Sequence, residues 1–313
     1  MEKYYNKISL WARIINKLFV FTNMKKNSNT VEAAKKFVNK LSTRKTIYNL
    51  PSKLGLNKID FQDMDVYCYN GNIDDNKKKI LYIHGGSYVE QANYFQINFA
   101  MKLAKKNNLT LIFPVYPLAP VGDYKLMYKL MDKLYKIIVS KSSNIIFLGD
   151  SAGGGFILSY AMYLRDTSSV QPKHIIMLSP WIDISMTNTD IYNDAKYDNM
   201  CGVDGTRYEG ELWANGLNTK DPLVSPIYGN FNSLGQMTII VGGREILTSE
   251  CLRLHKLLND QKIEHNFIMY KGQGHIFPMY PIRESKMVLK DITEIISRRW
   301  DDYGKKFICK VNW

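Results

Sequence analysis

The sequence predicts an α/β protein, a mostly parallel central sheet with helices on both faces. Three observations carry this expectation. From residue 65 onward, short apolar runs alternate with longer segments of helical apolar spacing. Strands buried on both faces need continuous apolar runs, and parallel neighbours need helical crossovers. The chain has 313 residues, 45% of them hydrophobic, enough for one large core with an embellishment or for two small domains. Charged residues make up 23%, near the globular average, which argues against disorder.

The elements follow in order. Ile8, Trp11, Ile14, Ile15, Leu18 and Phe19 recur at helical spacing, and 31–41 reads as a second helix. After Pro51 the texture changes. Residues 65–69 and 79–83 read as strands, 95–106 as a helix, 110–116 as a strand and 124–140 as a helix. A strand at 144–148 runs into a helix at 152–164, and 174–178 and 237–241 are short apolar strands. The pattern closes with a helix at 249–260, a strand at 265–270 and a helix at 283–298. Residues 183–225 break the rhythm: polar, aromatic and irregular, with Trp213 inside. They read as an insertion at the carboxyl edge of the sheet.

Composition excludes several functions. A net charge of +13 raises the question of a nucleic-acid partner. Lys and Arg are scattered in twos and threes, as at Lys77-Lys78-Lys79 and Lys105-Lys106, with no long basic stripe, so no nucleic acid is expected. Cys68, Cys201, Cys251 and Cys309 form no C-x-x-C pair. Free thiols in a reducing cytosol, and hence a cytoplasmic protein, are the expectation. Arg13, Asn16 and Lys17 interrupt the first apolar segment, so it does not read as a signal peptide, and no run of 18 apolar residues predicts a membrane span. A basic amphipathic helix of this kind packs on protein or lies on a membrane surface. Packing is the favoured reading, and peripheral membrane contact stays open.

Three stretches carry chemistry. Gly149-Asp150-Ser151-Ala152-Gly153 fits G-x-S-x-G and lies between a predicted strand and a predicted helix. Ser151 at such a corner is either part of the turn or a nucleophile. Small neighbours two before and two after let the chain fold sharply there. The second stretch, "YIHGGSYV" at 82–89, follows a strand, and its glycines let amides face a bound oxygen. The third, "GQGHIFPMY", puts His275 just beyond the last strand. His84 precedes Ser151, out of the serine–acid–histidine order, and His174, His255 and His265 sit inside predicted elements. Glu245 lies in the turn after the strand at 237–241. Its competitors are Asp221, Glu250 and Asp260; the last two fall within a predicted helix.

Taken together these residues resemble the hormone-sensitive-lipase-like branch of the α/β-hydrolase esterases. The resemblance spans roughly residues 80–278. It rests on "HGGS" at 84–87, "YPLAP" at 116–120, "GDSAGG" at 149–154, "SPWIDIS" at 179–185, "DPLVSP" at 221–226 and "GQGHIF" at 272–277. It implies an α/β-hydrolase fold, Ser151 as nucleophile, His275 as general base and Glu245 as the acid that orients it. It implies an oxyanion hole of the Gly86, Ser87 and Ala152 amides. It also implies a helical cap, which residues 1–45 would supply before a catalytic domain at 46–313. Ser87 stands where the family often has a third glycine, and Glu245 where Asp is commoner. Pro117 and Val121 replace a usual Arg and Glu.

The activity so implied is that of a serine carboxylesterase acting on small to medium acyl esters, with no cofactor and no metal. The partner expected is a small-molecule ester, and the oligomeric state is left open. The rivals are an amidase or peptidase with the same triad, and a non-catalytic small-molecule receptor. Plant gibberellin receptors resemble this family but lack the histidine.

Overall fold

The structure, a computed structural model, describes residues 1–43, 48–61 and 64–297. Its strands are β1 (Glu2–Tyr5), β2 (Asn57–Ile59), β3 (Asp65–Tyr69), β4 (Lys79–Ile83), β5 (Thr110–Val115), β6 (Ile145–Asp150), β7 (His174–Leu178), β8 (Gln236–Gly242) and β9 (His265–Tyr270). They form one sheet in the order β1-β9-β8-β7-β6-β4-β5-β3-β2. All neighbours are parallel except β2 with β3 and β3 with β5. The mostly parallel α/β architecture expected from the sequence is the one observed.

The helices are α1 (Leu10–Phe21), α2 (Val31–Ser42), α3 (Leu50–Lys53), α4 (Tyr94–Lys106), α5 (Tyr124–Lys141), α6 (Ala152–Asp166), α7 (Ile191–Asp194), α8 (Val203–Ala214), α9 (Thr248–Asp260) and α10 (Arg283–Ser297). The period of two along a strand divides the core. Leu81, Ile83, Ile145 and Phe147 face a cluster with α5, α6 and α9. Ile80, Tyr82, Ile146 and Leu148 face a second cluster with α4 and α10. Each central strand is thus buried on both sides, which is why its apolar run is unbroken. Complete burial of one such side chain stabilises by about 1.5–3 kcal/mol.

Two strands and three helices, the four-residue α3 and α7 and the longer α8, went unread in the sequence. β1 is only EKYY, and its place comes from pairing with β9. β2 is three residues at the far edge. α8 lies inside 183–225, and its two glycines hide it from a propensity reading. They serve packing: a Cβ on Gly210 would stand 2.8 Å from Ile184 Cβ. Lys79, the last of the Lys77–Lys79 triplet, is fully buried and pairs with Asp75. The Cys309 thiol and the predicted helix end at Arg298 lie outside the described residues, as do residues 44–45 of the expected cap. Among the described residues no helix is long and apolar enough to cross a membrane.

The N-terminal helices are tied to the body at several points. The Ser9 amide and hydroxyl both donate to Glu284 of α10, at 2.6 and 2.8 Å. Lys25 Nζ donates to the carbonyls of Ala195 and Asp198 at 2.5 and 3.2 Å. The Gly202 amide donates to Ser28 Oγ at 2.8 Å, at the start of α8, and α2 packs on that helix.

Candidate active site

Ser151 stands where β6 turns into α6, with φ 50° and ψ −121°. Two main-chain bonds hold the corner. The Ser151 amide donates to Leu178 O at 2.9 Å, and the Trp181 amide donates to Ser151 O at 2.8 Å. The flanking glycines are required by close approach. A Cβ on Gly149 would lie 2.5 Å from Gly153 O, and one on Gly153 would lie 2.1 Å from Ile83 O. The collision expected from the motif is therefore real, and the second partner is the neighbouring strand β4.

The turn after β4 faces this corner. Gly86, Ser87 and Tyr88 have φ of 123°, 51° and 61°. Two consecutive non-glycine residues in the left-handed region cost about 1–3 kcal/mol each. Tyr88 offsets that cost. It is buried, its hydroxyl donates to Ala152 O at 2.8 Å, and its ring stacks on Trp213 of α8 at 4.1 Å. Gly85 of this turn approaches Ser151, a Cβ on it standing 2.8 Å from Ser151 Cβ, and Ala152 opens α6, where first-turn amides lack helical partners. The Ser87 side chain hydrogen-bonds Glu209 of α8.

His275 lies in the turn beyond β9. Its Nε2 is 2.9 Å from Ser151 Oγ, and its Nδ1 is 2.5 Å from Glu245 Oε2. Glu245 is fully buried, and its other oxygen accepts from the Gly242 amide at 2.6 Å and Ser179 Oγ at 2.8 Å. The structure therefore brings together Ser151, His275 and Glu245; Ala152 follows Ser151 at the start of α6, and Gly86 and Ser87 follow Gly85, which approaches Ser151. It does not bring in the competing acids. Asp221 caps the Leu223 amide at 2.9 Å, Glu250 bonds Asn188 and Arg253, and Asp260 pairs with Lys256.

The other histidines have separate surroundings. His84 is buried, stacks on Tyr116 at 4.4 Å, and its Nδ1 lies 2.7 Å from Gly85 O. Burial pulls its pKa down to about 4, so it is neutral. His255 and His265 bond each other at 2.7 Å, and His174 is buried in β7.

Several residues around the site carried no signal of their own in the sequence. Ser179 donates to Glu245 and accepts from the Ile276 amide at 3.2 Å, so one hydroxyl fixes both the acid and the histidine turn. Ser179 and Ile276 are themselves at φ 46° and 45°. Asp150 accepts from the Gly85 amide, Tyr82 hydroxyl and Gln96 amide group at 3.1, 2.6 and 2.8 Å. It ties the glycine turn to β6. Gln96 also belongs to the capping box that starts α4. Asp198 accepts from the Ile246 amide at 2.8 Å, beside Glu245.

Charge and burial set the proton affinities. Burial pulls the His275 imidazole down, but the Glu245 carboxylate, with Asp198 and Asp150 behind it, raises it, and the net shift is upward. Burial pushes Glu209 up to about 8, with the Glu90 charge adding and the Ser87 bond opposing. Burial also raises Asp150. α1 reaches the site as well: Asn16 and Phe19 line a narrow cleft with Met200, Arg244 and His275.

Comparison with known proteins places the fold. Residues 80–279 match a family described as having the alpha/beta hydrolase fold. An esterase of Acinetobacter venetianus is 25% identical over 221 residues, covering 69% of this chain and 73% of that one. A triacylglycerol lipase of Mycobacterium tuberculosis is 27% identical over 200 residues, covering 63% of this chain and 41% of the lipase. A Staphylococcus aureus crystal structure superposes with a TM-score of 0.82 at 27% identity, covering 88% of this chain and 96% of that one. The hormone-sensitive-lipase homolog EstE7 from a metagenome library superposes with a TM-score of 0.76 at 23% identity, covering 93% and 99%. The chain belongs to the α/β-hydrolase fold family, in line with its resemblance to the hormone-sensitive-lipase-like branch.

Proposed function

We propose that the chain, an ester hydrolase of the α/β-hydrolase fold, cleaves small to medium acyl esters through a Ser151–His275–Glu245 triad. Ser151 Oγ attacks the ester carbonyl carbon and its proton passes to His275 Nε2. The oxyanion meets the amides of Gly86, Ser87 and Ala152. Collapse expels the alkoxide, which takes the proton from His275, and leaves an acyl-Ser151. Water then attacks with His275 again as base, releasing the acid. Glu245 holds the imidazole in the tautomer that accepts the serine proton and stabilises the imidazolium. The observation that carries this reading is the His275 ring, bonded on one side to Ser151 Oγ and on the other to Glu245. The relatives' names, esterase and triacylglycerol lipase, support esters as the substrate class.

A panel of p-nitrophenyl esters of increasing acyl length tests it, with the matching anilides as the amidase control. Short and medium esters should be hydrolysed, and anilides should not. An inert panel would leave the chain a binding protein. The same panel tests the cap. Residues 1–45 include β1, so deleting them strips a strand from the sheet. A point change is cleaner. Phe19→Ala should widen the cleft beside His275 and move the profile toward longer acyl chains. An unchanged profile in the folded variant would remove α1 from the substrate path.

Glu209 gives a pH dependence. Its folded pKa of about 8 keeps it mostly neutral at pH 7. As pH rises through that value, an anion forms against Ser87, whose amide is a proposed oxyanion donor. Like charge there opposes the developing oxyanion, so kcat/KM should fall on the alkaline side. Glu209→Gln should flatten that limb. A limb of the same position in the variant would assign it to another group.

A further inference from the structure

Helix α1 has a second apolar face that the described residues leave uncovered. Ala12, Ile15 and Phe19 line its inner side, toward the His275 turn. At 3.6 residues per turn, Leu10, Phe21, Ile14, Leu18 and Trp11 fall together on the adjoining side, within an arc of roughly 100°. They are 71, 87, 44, 52 and 65% exposed. Single exposed apolar residues are ordinary, but five in one arc form a contiguous patch of the kind that marks an interaction surface. On the inner side, Phe19 meets Tyr280 edge-on at 5.0 Å and Tyr280 meets Phe95 at 5.9 Å, and beyond them Phe95 and Tyr94 are exposed.

The charge around this patch selects its occupant. From Lys3 to Val31 the chain has Lys3, Lys7, Arg13, Lys17, Lys25 and Lys26 and no Asp or Glu. Lys3 pairs with Asp291 and Lys25 bonds two carbonyls, while Lys7, Arg13, Lys17 and Lys26 are exposed. Arg13 and Lys17 project from the edge of the apolar arc. A second copy of the chain would cover apolar surface but would bring its own positive charge to the same rim. An anionic lipid surface satisfies both features.

We propose that α1 docks the protein on an anionic lipid bilayer. The Leu10–Phe21 arc enters the acyl boundary and Arg13 and Lys17 meet the headgroups. The inner side of the same helix lines the cleft to His275, so docking sets the mouth of the site against the lipid layer. Esters presented there reach the site without crossing open water. That delivery step rests on the proposed triad, whereas the docking does not.

Co-sedimentation tests the docking with vesicles of phosphatidylcholine alone and of phosphatidylcholine mixed with phosphatidylglycerol. The whole chain should bind the anionic vesicles, less so at high salt. Trp11 should show quenching by brominated acyl chains. Leu10→Ser/Leu18→Ser/Phe21→Ser should lower partitioning by more than about tenfold while p-nitrophenyl acetate hydrolysis is kept. Arg13→Gln/Lys17→Gln should weaken binding and reduce its salt dependence. Ser151→Ala should bind like the native chain, which separates failure of docking from failure of the triad. The proposal is overturned if the native chain stays in the supernatant with anionic vesicles. It is also overturned if the triple variant sediments as fully as the native chain. Light scattering that finds a dimer dissolved by the triple variant, with no vesicle binding, would assign the patch to a second copy. Should the triple variant fail to fold, absence of Trp11 quenching in the native chain is the refuting result.

Discussion

Ser151→Ala is expected to lower ester turnover on the order of a millionfold while the protein stays folded. Without Oγ no acyl-enzyme forms, and residual hydrolysis rests on the oxyanion donors alone. The fold should survive because Ser151 is held by its main chain, through bonds to Leu178 and Trp181 that alanine keeps. A fluorophosphonate probe should label the native chain once, at Ser151, and leave the variant unlabelled. Labelling at another serine, or undiminished labelling of the variant, would move the nucleophile elsewhere.

Glu245→Gln is the second large effect, a loss of turnover on the order of a hundredfold or more. Glutamine keeps the size, and its oxygen can still accept from Gly242 and Ser179. Its amide group then faces His275 Nδ1, where a donor meets a donor, and the ring is driven to the wrong tautomer. The pH profile reports the same loss. His275 must be neutral to act as base, so activity falls as pH drops through its pKa. That pKa is raised in the folded protein, so the acid limb should lie above the value of free imidazole, about 6.5. Removing the Glu245 charge should shift the limb to lower pH. Glu245→Asp should also lower turnover, since it withdraws the carboxylate by about 1–1.5 Å from a bond now at 2.5 Å. Asp221→Asn is the control and should leave the chemical step largely intact. Near-normal turnover in Glu245→Gln, with collapse in folded Asp221→Asn, would move the acid role.

The sequence made some of this legible for a physical reason. β4, β7 and β9 could be read to the residue because both faces of each are buried, so each is a continuous apolar run led by one or two polar residues. β1 has no such run; only its partner β9 makes it a strand. The proposed reacting residues were legible because turn geometry demands glycine near them and because chain order constrains them. Their supports were not. Ser179 meets Glu245 across 66 residues of sequence and Gln96 meets Asp150 across 54, and no spacing rule covers such contacts. Periodicity located α1 but not its surroundings. It reports an apolar stripe, not what covers the stripe, and on α1 apolar residues occupy both sides.

The left-handed residues Ser87, Tyr88, Ser151, Ser179 and Ile276 set the terms on which this chain can be made more durable. Each is held against a conformational preference worth about 1–3 kcal/mol. Glycine at Ser87 would relax one of them, and where that relief exceeds the lost bond to Glu209 it would raise the melting temperature. It would also free the turn that carries the proposed oxyanion donors. Selection for heat resistance and selection for turnover therefore pull these five positions in opposite directions. Thermal hardening of this chain is better sought in the helices and outer loops, where rigidity and speed do not compete.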